Sequence, residues 1–305
     1  MIMTITQIKL PEYFKDNYLY LVDDNLELLR SRIIPDNSID LIYIDPQYYS
    51  KRNYKTKSKV DEGVTRSFTD TFESLEDYLK FIHIRLVEMK RVLKQTGSIY
   101  VHVDWHVSHY IKVIMDNIFG YDNFINNIVW CYSGGSSSRD AFATKHDDIL
   151  SYAIEKGKHT FNYNEVSVPY SLGTEVLIDE KTGKKYYIKS GTRYYIEREG
   201  KILEDWWIDI MNLNHNPLNE RHEYPTEKPQ PLLERIIKVA SNPGDTVADF
   251  FGGSGTTAAA AQKLERKWIT CDISEDSTNL IKARLLGNKS IKEKSFQLPI
   301  DAYFK

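Results

Sequence analysis

An α/β fold, wound as a doubly covered sheet, is predicted by three observations. Strand and helix signals alternate along most of the chain. The strand-like runs are short and apolar. Two of them end in loops that carry chemistry, where α/β folds place their sites. One loop, Asp45-Pro46-Gln47-Tyr48, closes the apolar run Ile39-Asp40-Leu41-Ile42-Tyr43-Ile44. The other, Asp249-Phe250-Phe251-Gly252-Gly253-Ser254-Gly255-Thr256-Thr257, lies far downstream between a strand and a helix.

Residues 18–22 and 39–44 read as strands, with a short helix over 25–32 between them. Pro35-Asp36-Asn37-Ser38 is turn chemistry ahead of the second strand. Residues 74–94 form a long amphipathic helix, because Leu75, Tyr78, Leu79, Ile82, Leu86, Met89 and Leu93 recur at spacings of three and four. A strand at 97–103, a helix at 107–118 and strands at 125–131 and 148–153 follow. From about 133 to 214 the pattern changes. Gly134-Gly135-Ser136-Ser137-Ser138 reads as a linker or mobile loop, and Tyr186-Tyr187-Ile188 and Tyr194-Tyr195-Ile196 flank a turn at Gly191. The α/β pattern returns with a helix at 231–239, a strand at 246–250, a helix at 257–264, a strand at 268–271 and a helix at 276–286. The chain therefore divides into 1–132, an insert over 133–214 and a closing part over 215–305. The stretch to about 155 is assignable to the insert or to the first part.

Composition bounds the function. The chain has 305 residues, enough to bury a large core as one or two domains. Hydrophobic content of 41% and charged content of 27% are globular values. Two cysteines, Cys131 and Cys271, make neither a disulfide framework nor a zinc site, and they fit a reducing cytoplasm. The first twenty residues mix charges with apolar residues and do not form a signal peptide. No apolar run approaches the roughly 20 residues a membrane span needs. A net charge of −3 places any nucleic-acid contact in a local patch.

Glycine turns hold cofactors because glycine takes positive φ and lets a ligand approach the backbone. The following helix adds free N–H groups and a positive dipole end. Asp272 ends the next strand, near the roughly 20-residue offset at which an acid bonds a ribose hydroxyl. A plain strand–helix turn also uses glycine; the flanking strand, the helix and Asp272 together favour a cofactor. No Gly-Lys-Ser/Thr follows, so this is not a Walker loop. A nicotinamide loop fits less well, because such loops sit near the start of a domain.

Asp-Pro at a strand end is a common turn, and an ion pair is a further ordinary role for Asp45. Beside a cofactor loop it reads differently. The exocyclic amine of a nucleobase is a poor nucleophile, since its lone pair is delocalised into the ring. Asp45, through its carboxylate, and Pro46, through a carbonyl on stiffened backbone, supply two acceptors for its hydrogens. Tyr48 supplies a ring to stack on a base rotated out of its helix.

These residues resemble the site-specific DNA amino-methyltransferases that use S-adenosyl-L-methionine. Asp45-Pro46-Gln47-Tyr48 is similar to that family's Asp-Pro-Pro-Tyr motif, and Asp249 to Thr256 to its cofactor motif. Thr226-Glu227-Lys228-Pro229 resembles the element that closes over the methionine part of the cofactor. Asp24-Asn25 resembles the segment at the cofactor's adenine. Gly97-Ser98-Ile99-Tyr100-Val101-His102-Val103-Asp104 and Lys145-His146-Asp147-Asp148-Ile149-Leu150 look like further elements of the same catalytic domain. The catalytic loop precedes the cofactor loop, which is the order of the beta class, with target recognition carried between them.

The resemblance implies a seven-stranded Rossmann-like methyltransferase sheet with a target recognition insert. It implies a catalytic set of Asp45, Pro46, Gln47 and Tyr48. The implied cofactor set is Asp24, Asp45, Thr226, Lys228, Pro229, Asp249, Phe250, Phe251, Gly252, Gly253, Ser254, Gly255, Thr256, Asp272 and Ile273. Aspartate at the first motif position implies adenine N6; cytosine N4 enzymes more often carry serine there. Related loops also modify RNA or protein glutamine, and a binding module without turnover is the reading from another class. Gln47 stands where the family has a second proline, so the loop is expected to be less stiff. Double-stranded DNA is the implied partner. A cognate restriction nuclease and a homodimer are compatible with the resemblance, and no metal is needed.

Lys51, Arg52, Lys55, Lys57, Lys59 and Arg66, interleaved with Tyr49 and Tyr54, suit phosphate contacts. A solvated loop has the same composition. A second basic cluster in the insert includes Arg193 and Arg198, and base contacts are expected there. Lys51, Arg52, Lys55 and Arg193 are the candidate DNA contacts. Trp206 and Trp207 read as core, and His102, His106 and His109 as structural.

Overall fold

The computed structural model describes residues 4–12, 15–57, 65–70, 72–132, 139–168, 175–196, 201–213, 224 and 226–286. In chain order the strands are β1 (Ile5–Gln7), β2 (Tyr18–Val22), β3 (Ile39–Ile44), β4 (Arg52–Lys57), β5 (Thr65–Asp70), β6 (Leu93–Val103), β7 (Phe124–Cys131) and β8 (His146–Ala153). They continue with β9 (Ser167–Val168), β10 (Leu177–Ile178), β11 (Lys185–Lys189), β12 (Thr192–Tyr195), β13 (Lys201–Ile202), β14 (Trp206–Trp207), β15 (Thr246–Asp249) and β16 (Lys267–Asp272). The helices are α1 (Asn25–Arg30), α2 (Leu75–Val92), α3 (Ser108–Phe119), α4 (Gln230–Ala240), α5 (Thr256–Lys263) and α6 (Glu275–Leu285).

The main sheet runs β1-β2-β16-β15-β3-β6-β8-β7-β14. From β2 through β6 every pairing is parallel, and β8 reverses direction between β6 and β7. Seven of its nine strands are those expected. The two additions are edge strands of three and two residues, too short to carry a period. β3 is buried along its whole length, as a strand covered on both faces must be. Its side chains alternate between two cores. Ile42 and Ile44 join Leu28, Tyr78, Ile82 and Ile111 from α1, α2 and α3. Leu41 and Tyr43 join Leu233, Ile236, Ala260 and Ile281 from α4, α5 and α6. Each fully buried aliphatic side chain contributes about 1.5–3 kcal/mol.

Some boundaries moved. The long helix was expected to reach residue 94, but the chain turns extended at Leu93, whose φ is −71° and ψ 138°. Leu93 is buried opposite Ile39, and the Lys94 ammonium lies 2.8 Å from both Asp40 oxygens. Strand pairing and an ion pair thus take the last turn from the helix. Within 133–214, β8 and β14 pair in the main sheet, whereas β10-β11-β12 and β9-β13 form small sheets of their own. Trp207 is buried in this arrangement, but Trp206 is half exposed. The basic stretch after residue 51, to which the sequence assigned no element, holds β4, which pairs antiparallel with β5, Arg52 opposite Asp70 and Lys57 opposite Thr65. Residues 134–138, Lys59 and Arg198 lie outside the described residues.

The glycine loop is shaped by the protein as much as by a ligand. A Cβ at Gly252 would fall 2.5 Å from Thr270 Oγ1 and 3.0 Å from the carbonyl of Cys271. Gly255 has φ +75°, and a Cβ there would meet Ile281 Cγ1 at 2.8 Å. The close approach at these two positions is therefore by β16 and α6. Gly255→Val should destabilise the fold itself, by about 1–3 kcal/mol for overpacking plus the left-handed penalty. Chemical denaturation without any ligand checks this; an unchanged midpoint would return the glycine to a purely ligand-facing role.

Candidate active site

β3 and β15 are adjacent and parallel, with Leu41 opposite Val247 and Ile42 opposite Ala248. Their carboxyl ends release the two loops side by side, at the point where the strand order changes direction. A cavity of about 580 Å³ opens there, within the usual range for a small-molecule site. Asp45, Pro46, Gln47 and Tyr48 line it together with Asp249, Gly252, Gly253, Ser254 and Thr256. Asp24, Thr226, Lys228, Phe250, Phe251, Asp272 and Ile273 complete the expected residues in its wall. Pro229 and Gly255 do not reach it. Pro229 is buried as the residue preceding α4, and Gly255 faces Ile281.

Asp45 is the first β3-end side chain to leave the core. Its Oδ2 lies 2.6 Å from Lys228 Nζ, and its Oδ1 accepts the Tyr48 hydroxyl. The same ammonium donates to Tyr48 Oη at 2.9 Å. Burial, with the charge of Asp45 next, holds the Tyr48 phenol well above its ordinary pKa, so it stays protonated. The backbone after the tetrapeptide is strained: Tyr49 and Lys51 both have φ +56° without being glycine. Asp70, 1% exposed, holds this stretch by accepting from the N–H groups of Tyr49 at 3.0 Å and Ser50 at 2.7 Å. The Gln47 carboxamide oxygen is buried and has no hydrogen-bond partner among the described residues.

The carboxylates around the glycine loop are held by main-chain and side-chain donors. Asp272 accepts from Gly253 N at 2.8 Å and from Ser274 N at 2.9 Å, which fixes the glycine turn to the end of β16. Burial raises its pKa, partly offset by those donors. Asp249 accepts from Thr257 Oγ1 at 2.6 Å and Phe251 N at 2.9 Å. Burial pushes Asp249 up to about 7; its two donors pull the other way, and the charges of Asp45 and Asp272 add to the rise. Asp24 caps α1 and pairs with Arg85, while Asn25 donates to the Phe250 carbonyl at 2.8 Å. The exposed apolar side chain of Ile273 completes this end of the wall.

Seven aspartates line the cavity among the described residues, against two cations, Arg85 and Lys228. Such a wall suits a ligand carrying positive charge. Several contributors were missed from sequence. Arg85 lies mid-helix on α2, and nothing local marks it as the partner of Asp24. Asp70 ends a strand with no motif around it. Arg284, 6% exposed, pairs with Glu227 at 3.0 Å and donates to Thr256 Oγ1 at 3.1 Å, which ties the 226–229 segment to the glycine loop. Its only local signal was a basic residue in the last turn of α6.

The basic candidates lie elsewhere. Lys51 is exposed, with its ammonium 5.0 Å from the Tyr49 ring centre. Arg52 and Lys55 lie on β4, and their side chains are outside the described residues. Arg193, on β12, sits over the Tyr186 ring at 4.8 Å and 3.7 Å from Asp179. No helix among the described residues is long and apolar enough to cross a membrane.

The raised Asp249 gives a pH signature. Below about pH 4 its carboxyl is protonated in both the folded and the unfolded chain. Between there and about 7 the unfolded chain releases a proton that the folded one keeps, so stability falls as pH rises and levels off above about 7. Asp249→Asn removes that loss. The melting temperature of the variant relative to wild type should climb from pH 5 to pH 8; a difference independent of pH would refute the raised carboxyl.

The family model described as DNA methylase, N6_N4_Mtase, matches residues 39–283. The chain is 32% identical over 272 residues to the Type II methyltransferase M.HpaI of Haemophilus parainfluenzae, covering 88% of this chain and 76% of that protein. It is 29% identical over 248 residues to the DNA adenine methyltransferase YhdJ of Escherichia coli, covering 80% and 74%. The structure of the cytosine-N4-specific PvuII DNA methyltransferase superposes with a TM-score of 0.60 at 18% identity, over 90% of this chain and 87% of that one.

Proposed function

The chain belongs to the N6/N4 DNA methylase family, a class that takes its methyl group from S-adenosyl-L-methionine, and from that premise we propose that it methylates the N6 amino group of adenine at a specific site in double-stranded DNA. One observation carries the reading. Asp45-Pro46-Gln47-Tyr48 and the glycine loop, remote in sequence, share one cavity at the paired ends of β3 and β15. Aspartate at the first loop position supports adenine over cytosine.

The wall fits the cofactor. S-adenosyl-L-methionine carries a sulfonium and an ammonium, and the excess of carboxylates matches them. Asp272, at the end of β16, is placed for ribose hydroxyls, and Ile273 and Phe251 offer apolar surface to a purine ring. Lys228 and Thr226 suit the methionine carboxylate. When bound, the cofactor supplies an electrophilic methyl group.

The chain's own residues prepare the amine. Asp45 and the Pro46 carbonyl accept hydrogen bonds from its two N–H groups, which frees the lone pair and stabilises the positive charge that develops on nitrogen until one N–H proton is lost past Asp45 to solvent. Lys228 holds Asp45 in the free protein, and the amine displaces it as a competing donor. Tyr48 stays neutral and presents its ring to the flipped base. Asp70 keeps the loop in its strained path.

Lys51, Arg52, Lys55 and Arg193 are proposed as phosphate contacts, and the small sheets spanning Ser167–Ile202 as the recognition element within an insert over 133–214. The Type II methyltransferase name of M.HpaI supports a restriction–modification setting with a cognate nuclease. A homodimer is compatible with this reading. The free thiols of Cys131 and Cys271 suit the cytoplasm.

The assay is transfer of labelled methyl to DNA of mixed sequence, followed by digestion to nucleosides and mass identification. N6-methyl-2′-deoxyadenosine is expected. N4-methyl-2′-deoxycytidine would move the target to cytosine, and no product on any DNA would favour a binding module. Asp45→Ala should lower the rate by about 10²–10³ or more, the scale for one group aimed at transition-state charge, with calorimetric cofactor affinity nearly unchanged. Turnover within a few-fold of wild type would remove Asp45 from the chemistry.

Gln47→Pro should keep or raise the rate. The Gln47 oxygen makes no hydrogen bond that proline would lose, and a ring stiffens the Pro46 carbonyl's path. The gain should be about 0.4–1 kcal/mol. Single-turnover rates check it; a loss of tenfold or more would give the Gln47 side chain a task of its own.

A further inference from the structure

Behind the Tyr48 ring lies a buried polar chain that the reaction does not use directly. His102, on β6, is fully buried. Its Nδ1 is 2.8 Å from the Tyr43 hydroxyl, and its Nε2 is 3.0 Å from Asp147 Oδ2. Tyr132 donates to the other Asp147 oxygen at 2.9 Å. The imidazole stacks against Tyr48 with centroids 6.3 Å apart and planes at 21°, and meets Trp130 edge-on at 5.7 Å.

Strand register puts it there. Ile44 lies opposite Val101, so His102 is the next residue on β6, alongside Asp45 as β3 ends. β8 delivers Asp147 from the other side, one residue beyond the pair of Val103 with Asp148. The hydrogen-bond roles are then determined. The Tyr43 phenol is protonated, because burial and then nearby carboxylates hold its pKa far up. A buried hydroxyl needs an acceptor, and Nδ1 provides it. Nε2 therefore carries the ring proton and donates to Asp147. With both nitrogens engaged, the ring cannot turn about its own axis without breaking two buried bonds.

We propose that His102, locked between Tyr43 and Asp147, is a positioning residue that fixes the plane of the Tyr48 ring on which the target base stacks. This rests on the reading of Tyr48 as a base platform. The hydroxyl of Tyr48 is held from the front by Asp45 and Lys228, and its ring from behind by His102. Stacking energy for a flipped base depends on ring orientation, and a misplacement of about 1 Å in such a site costs on the order of 10²-fold in rate. A merely structural histidine would lower stability and leave the Tyr48 ring where it is.

The test is a double-mutant cycle with a spectroscopic arm. His102→Gln and Tyr48→Ala are made singly and together, and Asp147→Asn serves as the second lever should His102→Gln fold poorly. In single-turnover methyl transfer, His102→Gln should slow the step by about tenfold or more with cofactor affinity within twofold of wild type. In the Tyr48→Ala background the same change should cost less than twofold, since coupled residues are not additive. Equal losses in both backgrounds would overturn the proposal. Independently of DNA, the ring resonances of Tyr48 in ¹³C-tyrosine-labelled protein should shift and broaden in His102→Gln or Asp147→Asn. A Tyr48 signal identical to wild type in both variants would also overturn it. Wild-type protein silent on all DNA, with a Tyr48 signal that does respond, would instead overturn the methyltransferase reading and leave the positioning role standing.

Discussion

Parallel pairing of β3 with β15 is the constraint on which the site depends. It sets the Asp45 loop beside the Asp249 loop, and it does so through main-chain hydrogen bonds between segments remote in sequence. Each strand is buried on both faces, so a one-residue slip would send Leu41 and Tyr43 into the core of α1, α2 and α3, and Ile42 into that of α4, α5 and α6. Register at the sheet centre therefore fixes the separation of the Asp45 and Asp249 loops at its edge. Helices on both faces, helix α5 springing from the glycine turn and helix α1 capped by Asp24 all elaborate this pairing.

Concentrating seven aspartates around one cavity is costly, and the structure shows how the cost is offset. Asp45 is paired with Lys228, Asp24 with Arg85, and Asp272 and Asp249 accept main-chain or hydroxyl donors. At Asp272 and Asp249 the donors do not make up for burial: both carboxyls are raised, and Asp249 is pushed up to about 7. The free protein thus holds a reserve of negative charge that a cationic ligand can draw out. The same economy recurs at Arg284 and Glu227, a buried pair whose loss on one side would strand the other charge.

Strain and rigidity are divided between the two sides of the cavity. On the Asp45 side, the Asp70 carboxylate accepts from Tyr49, a non-glycine residue at positive φ, and from Ser50, and Tyr48 is backed by a ring whose two nitrogens are both engaged. On the side of the Asp249 loop, glycine takes the unusual backbone at little steric cost, and neighbouring β16 and α6 fill the space that a side chain would need. One loop is kept in place by side-chain contacts from β5 and β6, the other by the absence of side chains.

The seven principal strands, the six helices and both loops were legible in the sequence, because apolar period, turn residues and glycine spacing are local signals. The expected catalytic and cofactor residues meet in one cavity, apart from Pro229 and Gly255. What local signals did not carry were contacts made across the sheet. Lys228 on Asp45, Arg85 on Asp24, Asp70 beneath Tyr49 and Asp147 behind His102 each join residues that no spacing rule connects. Two edge strands of two and three residues were invisible for want of a period, and the helix ending at Val92 was cut short by a strand partner at Ile39. Sequence by itself determined which segments are strands, helices and reactive loops, since those depend on neighbours along the chain. Tertiary structure alone decided which charges are paired, which carboxyl holds its proton and which ring stands behind Tyr48, since those depend on burial and on partners that only the folded sheet brings within hydrogen-bond reach.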